Sequence, residues 1–259
     1  MAVLQIDVYS KALDMEVHVN VLYPEFTRVP EAAKGDIPVL YLLHGMGGNA
    51  HTWLHRTAIQ RLVRKTNLIV VMPDTHNGWY TNTRYGYPYF DAIAQELPKL
   101  MQQIFPAMSK KREKTFIAGL SMGGYGAFKI ALSTNQYSYA ASLSGALNFD
   151  GFDAQAVELG NPDYWSSTFG DMSDWPRHPE SIQQLAKTSD KKLHLFIWCG
   201  KEDFLIEANR SARDFLEAEG YQITYKENHG KHEWYYWDRL MESVLEWLPI
   251  DFELEERLS

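Results

Sequence analysis

The sequence holds one cysteine, Cys199, in 259 residues, so no disulfide can close within the chain and a reducing compartment is permitted; we expect the cytoplasm. Cys199 sits in an apolar run that reads as a strand, which predicts a buried, inert thiol. Positive charge is scarce too. Lys and Arg number 25 against 33 Asp and Glu, a formal charge of −8 at pH 7, and no basic cluster exceeds Lys110, Lys111 and Arg112. Neutralising phosphates needs a basic stripe, so nucleic acid is excluded as a partner. No apolar stretch approaches the roughly 20 residues of a membrane-spanning helix. Residues 1–7 lack the positive start, apolar run and small-residue cleavage site of a signal peptide, so no membrane association is expected. There is no phosphate-cradling G-x-x-x-x-G-K and no dinucleotide fingerprint, and hence no implied cofactor. His51 and His55 lie four apart and His76 lies near Asp74, but neither a Cys pair nor H-E-x-x-H accompanies them. A catalytic zinc needs three ligands and an open position, so no metal is expected.

What is present is apolar and aromatic. With 45% hydrophobic side chains, 8 Trp and 15 Tyr, the chain can bury a sizeable core, and one domain over residues 1–259 is the expected organisation. Alternation over residues 3–9 and 15–23 predicts an antiparallel pair at the start. After a loop at 30–36 the pattern changes to short, nearly continuous apolar runs at 39–43, 68–72, 115–118, 140–143 and 193–198, as in strands buried on both faces of a parallel sheet. Phe90, Ile93, Ala94, Leu97, Met101, Ile104 and Phe105 share one face of a helix that Pro98 should bend. Further helices are expected at 122–132, 207–219 (closed by Gly220) and 234–248. Strand and helix alternate, so the fold class is α/β: a mostly parallel sheet with helices on both faces, carrying its function at the carboxyl ends of the strands. Residues 148–187 break the rhythm. They carry Phe149, Phe152, Tyr164, Trp165, Phe169 and Trp175 and read as a lid or pocket wall inserted into the domain.

The strongest chemical signal is Gly119-Leu120-Ser121-Met122-Gly123-Gly124, set between an apolar strand-like run and a helical stretch. A nucleophile elbow needs this context, because the serine occupies a strained strand-to-helix turn that only small neighbours allow. Without that context the motif would be a Gly-rich turn. A neutral serine hydroxyl is a poor nucleophile and needs a base, and the base needs a third group to fix its tautomer. In this arrangement the chain order is Ser, then Asp or Glu, then His. Asp203 follows the strand-like run at 193–198, with Glu202 as its rival and an acidic helix N-cap as the plain structural reading. His232 precedes the last predicted helix, with His229 as its rival. An oxyanion needs backbone donors. One is expected from the N–H of Met122, the residue after the serine, and the other from His44-Gly45-Met46-Gly47-Gly48, with Met46 preferred and Gly45 or Gly47 open.

In combination these residues resemble the esterase D and S-formylglutathione hydrolase branch of α/β-hydrolases, which includes the antigen 85 mycolyltransferases. The resemblance rests on Leu42-Leu43-His44-Gly45, Asn77-Gly78-Trp79-Tyr80-Thr81-Asn82, the serine motif continued through Tyr125-Gly126-Ala127, and His232-Glu233-Trp234-Tyr235-Tyr236-Trp237, and runs from about residue 15 to residue 248. Within that branch the chain looks most like the small tributyrin esterases of lactic acid bacteria and streptococci. The resemblance implies a cytoplasmic serine carboxylesterase for short acyl chains, Ser121, Asp203 and His232 as its triad, Met46 and Met122 as oxyanion donors, and a possible dimer or tetramer.

Trp53, Trp79, Tyr80, Trp165 and Trp234 fall on loops predicted at the catalytic edge, so they are expected to line the substrate pocket and leave room for acetyl to butyryl esters. Two neighbouring chemistries use the same triad: a thioesterase for S-formylglutathione, and an acetyl or feruloyl esterase acting on carbohydrate esters. Acyl transfer to a sugar hydroxyl is a further variant. A non-catalytic binding module on this fold is the alternative from another class.

Overall fold

The computed structural model describes residues 1–151 and 163–254. Its centre is an eight-stranded sheet in the order β1-β2-β4-β3-β5-β6-β7-β8. The strands are β1 (Ala2–Ser10), β2 (Met15–Tyr23), β3 (Val39–Leu43), β4 (Ile69–Pro73), β5 (Thr115–Leu120), β6 (Tyr139–Leu143), β7 (His194–Gly200) and β8 (Gln222–Asn228). β1 pairs antiparallel with β2, and β2 with β4. From β4 through β8 all pairings are parallel. β3 and β4 are buried at every position, which explains their unbroken apolar runs, whereas edge strand β1 alternates exposed and half-buried residues.

Among the described residues eight α-helices accompany the sheet: α1 (Thr52–Arg56), α2 (Ile59–Leu62), α3 (Leu97–Ile104), α4 (Met122–Ser133), α5 (Tyr164–Phe169), α6 (Ile182–Thr188), α7 (Ile206–Ala218) and α8 (Trp234–Trp247). The period-two alternation of β3 sorts them into two layers. Val39, Tyr41 and Leu43 point into the core shared with residues of α3, α4, α6 and α7, while Leu40 and Leu42 point into the core shared with α2 and α8. Helices therefore cover both faces, and the expected α/β architecture is present.

Two elements differ from the sequence reading. β8 has no apolar run: as an edge strand it needs only one good neighbour, and Lys226 and Glu227 sit within it. The helix expected to bend at Pro98 instead begins as a π-helical turn over Asp91–Glu96 and continues as α3. Proline has no N–H to donate to the carbonyl four residues earlier. That carbonyl, of Ala94, accepts the Gln136 side chain at 2.9 Å.

The segment at 163–188 packs as a wall against α4. The buried Lys129 ammonium of α4 forms an ion pair with Glu180, the Tyr125 hydroxyl donates to the Glu180 carbonyl at 2.8 Å, and the Thr81 hydroxyl donates to the Glu180 carboxylate at 2.8 Å. Phe149, Trp165, Phe169 and Trp175 form one aromatic cluster with Trp79 and Tyr125. Phe152, expected in the same insertion, lies outside the described residues. Among the described residues no helix is long and apolar enough to cross a membrane.

Candidate active site

Ser121 joins the end of β5 to the start of α4 with φ 52° and ψ −119°, a conformation costly for a non-glycine residue. Its backbone is held from three sides: Ser121 N–H donates to the Leu143 carbonyl at 3.0 Å, and the Ser121 carbonyl accepts from Tyr125 and Ala146 at 3.1 and 3.3 Å. The glycines permit the close approach. A Cβ on Gly119 would stand 2.3 Å from the Gly123 carbonyl oxygen, and one on Gly123 would stand 2.5 Å from the Leu43 carbonyl oxygen. Strand, turn and helix can meet here only without side chains at those two positions.

Across the carboxyl ends of β7 and β8 stand the other two groups. His232 Nε2 lies 3.0 Å from Ser121 Oγ, and His232 Nδ1 lies 3.0 and 3.1 Å from the two carboxylate oxygens of Asp203. A carboxylate can only accept, so Nδ1 carries the proton and Nε2 is free to accept from the serine hydroxyl. Asp203 is buried. Burial alone would raise its carboxyl, but His232, the Leu205 N–H and the Ser144 hydroxyl together hold it below the usual aspartate value. Ser144 in turn accepts the indole N–H of Trp237 at 3.1 Å. The Trp237 ring stands edge-on to the His232 imidazole at 4.8 Å, and Phe204 lies on it at 4.6 Å.

The rival residues Glu202 and His229 are paired with each other, 3.2 Å apart and outside this chain of contacts. Glu202 also accepts the Gly230 N–H at 2.7 Å, which lowers its pKa. They brace the loop that carries His232. Cys199 is buried, and that burial, with the nearby Asp203 charge, pushes its thiol well above the usual range.

The loop after β3 is rigidly held. Gly48 N–H donates to the Gly45 carbonyl at 3.0 Å, and Gly47 N–H donates to the Asn77 side-chain oxygen at 2.8 Å. Gly47, one of the two alternatives to Met46, is therefore engaged. Met46 is exposed on this loop and buried Met122 opens α4, where the N–H has no partner within the helix. His44 is buried beneath: its Nδ1 lies 2.8 Å from the Gly45 carbonyl, and its Nε2 lies 3.1 Å from the Thr75 N–H and 3.4 Å from the Asp74 carboxylate.

The aromatic residues expected to line the pocket are placed differently. Trp53, Trp79, Tyr80 and Trp165 are all buried. Trp53 donates its indole N–H to the Leu43 carbonyl at 2.9 Å, and the Tyr80 hydroxyl donates to the His44 carbonyl at 2.9 Å. Trp79 donates to the Tyr164 hydroxyl at 2.9 Å from within the aromatic cluster. They stiffen the backbone beneath the site rather than offering faces to a ligand, because large rings stabilise the fold most when buried with their polar tips satisfied. Trp234 alone of the five is partly exposed, packed edge-on against Trp53. Ser144, Phe204 and Trp237, which surround the Asp203–His232 pair, and the bracing Asn77 are given no role by the sequence motifs. Trp237 lay within the quoted His232-to-Trp237 motif, while Ser144 carries no local signal. Among the described residues no group of three His, Cys, Asp or Glu side chains could hold a metal ion.

Comparison with known proteins places the chain among esterases. Residues 10–248 match the family model described as "Putative esterase". An acetyl esterase of Caldicellulosiruptor saccharolyticus is 31% identical over 264 residues, covering 96% of this chain and 98% of that protein. Two solved structures from Staphylococcus aureus are each 29% identical and cover 95% of this chain and 98% of their own. They are a substrate-bound, fluorophosphonate-binding serine hydrolase with a TM-score of 0.85 and an S-formylglutathione hydrolase with a TM-score of 0.82.

Proposed function

We propose, from the premise that the chain belongs to the esterase family of α/β-hydrolases and is a carboxylic ester hydrolase, that it cleaves short-chain acyl esters, acetyl to butyryl, through a Ser121 acyl-enzyme. The observation that carries this reading is the continuous hydrogen-bonded chain from Ser121 Oγ through His232 to Asp203, with every link at 3.0 to 3.1 Å.

His232 Nε2 takes the hydroxyl proton as Ser121 Oγ attacks the ester carbonyl, and Asp203 stabilises the imidazolium so formed. The tetrahedral oxyanion is assigned to the N–H groups of Met46 and Met122; one such donor typically contributes about 10²–10³ in rate. His232 then gives the proton to the departing alcohol oxygen. Water, activated by the same imidazole, releases the acid and restores Ser121. Acid–base catalysis of this kind contributes about 10²–10⁴.

The preference for short acyl groups is supported by the likeness to an acetyl esterase 31% identical to this chain, and the loop assigned to oxyanion binding is contacted by α5. The Tyr164 hydroxyl stands 2.6 Å from the Asn77 carbonyl and 4.0 Å from the Met46 sulfur, so α5 leans on the oxyanion loop. The test is hydrolysis of p-nitrophenyl esters from acetate to laurate, with S-formylglutathione as a thioester arm and Ser121→Ala as control. Turnover that peaks at C2 to C4 and is abolished in the variant is the expected result. A rate rising toward laurate would overturn the short-chain reading, a dominant rate on the thioester would favour the thioesterase, and an equally active variant would remove Ser121 from the chemistry.

A further inference from the structure

Phe204 is 77% exposed, the most solvent-exposed large apolar side chain among the described residues. It belongs to no hydrophobic core cluster, and an apolar ring left in water contributes little to folding. Its position is nevertheless tightly set. It follows Asp203 in the turn after β7, where Asp203 N–H donates to the Gly200 carbonyl at 3.1 Å and the Asp203 carboxylate accepts the Leu205 N–H at 2.9 Å. The backbone that carries the ring is thus anchored by the triad acid itself. The ring centroid lies 4.6 Å from that of His232, with the planes inclined at 46°.

The reaction directs the substrate to this place. Both imidazole nitrogens are occupied, one by Ser121 and one by Asp203, and Trp237 closes an edge at 4.8 Å from the buried side. When the ester C–O bond breaks, the alcohol oxygen must come within hydrogen-bond reach of Nε2, about 3 Å, to receive its proton. His232 keeps some exposure to solvent, and the Phe204 ring, 4.6 Å from the imidazole, is within reach of a ring carried on that alcohol.

Resting on the Ser121–His232–Asp203 reading above, we propose that Phe204 is a specificity-determining residue of the alcohol subsite, and that its ring receives an alcohol carrying a ring of its own. The shared chemistry is a flat apolar face, supplied either by a phenol or by a pyranose. The acyl group, on the oxyanion side, is not sorted by this residue.

The test holds the acyl group constant and varies the alcohol. Phenyl acetate, an acetylated methyl xylopyranoside and ethyl acetate are compared on wild type, Phe204→Ala and Phe204→Tyr, with Ser121→Ala as control. In Phe204→Ala the ratio of kcat/KM for a ring-bearing acetate to that for ethyl acetate falls about five- to tenfold, the size of a lost ring stack, and Phe204→Tyr restores it. Which ring ester shows the fall identifies phenol, pyranose or both. An unchanged ratio in Phe204→Ala overturns the proposal. So does an equal loss on all three esters accompanied by a shifted pH profile, since Phe204 would then only shelter the imidazole. If Ser121→Ala hydrolyses as fast as wild type, it is the underlying catalytic reading that fails, whatever Phe204 does.

Discussion

The side-chain oxygen of Asn77 accepts the backbone N–H of Gly47 at 2.8 Å, while the Asn77 carbonyl accepts the Tyr164 hydroxyl at 2.6 Å. One residue thereby ties the loop assigned to oxyanion binding to the wall that overhangs it. Asn77→Ala frees the Gly47 end of that loop. Deleting an oxyanion donor outright costs about 10²–10³, and loosening its support costs less, so kcat is expected to fall about tenfold with KM within about twofold. Steady-state kinetics on p-nitrophenyl acetate will check this; a wild-type kcat would detach Asn77 from the site.

Asp203→Asn replaces a pure acceptor with a group that can donate to His232 Nδ1. The imidazole then carries its proton on Nε2 and cannot accept from Ser121, so kcat is expected to fall about 10³–10⁴ at neutral pH. The carboxyl is held below the ordinary aspartate value of 3.8. A depressed carboxylate contributes stability that is present above the unfolded pKa and lost as pH falls through the folded one. The difference in melting temperature between wild type and Asp203→Asn should therefore narrow below pH 3.8, and a constant gap from pH 7 to pH 3 would contradict the account.

Lys129 and Glu180 are not equivalent partners. The Lys129 side chain is 4% exposed and that of Glu180 30%, and burial pulls the ammonium down to about 8 even with Glu180 opposing. Glu180→Gln leaves a buried cation without its counter-charge and is expected to cost about 3 kcal/mol, the low end for a broken buried pair because Glu180 is partly exposed. Lys129→Met fills a site bordered by Phe90 and Tyr125 and should be nearly neutral, because the remaining carboxylate still has water and the Thr81 hydroxyl. Urea unfolding of both single variants and the double variant will show whether the double recovers most of the loss.

Tyr41, Tyr80, Tyr125 and Tyr137 are fully buried, and burial raises all four phenols above the usual value of 10. A raised pKa contributes stability that is present below the unfolded value and lost as pH rises toward the folded one. These four phenols should stay neutral as the solvent passes pH 10 and ionise together as the fold collapses. Absorbance at 295 nm followed alongside far-UV circular dichroism tests this: full phenolate absorbance with an intact native spectrum would be the contrary result.

Much of the fold is written locally. β3 and β4 read correctly as apolar runs because a central parallel strand is buried on both faces, and α4 follows the serine motif because the elbow demands a helix there. β8 escaped that logic, since an edge strand can keep Lys226 and Glu227 in the ladder. The π-helical turn before α3 had its cause in Pro98, but the freed Ala94 carbonyl found its donor in Gln136, 42 residues from Ala94 along the chain.

In the site, the sequence by itself singled out Ser121 as the candidate nucleophile, with its glycine setting and the order in which a candidate acid and base follow, because an elbow is a local backbone problem solved by adjacent small residues. Only the tertiary structure separated Asp203 from Glu202 and His232 from His229, by pairing one couple with Ser121 and the other with each other. It also moved Trp53, Trp79, Tyr80 and Trp165 from expected pocket walls into buried supports and left Phe204 in the open beside His232. Trp53 and Trp165, expected on loops, lie in the short helices α1 and α5, and aromatics near the catalytic edge carry the same local signature whether they face solvent or core. The choice between the two depends on which segments meet above the sheet, and that is set by contacts between residues far apart in the chain.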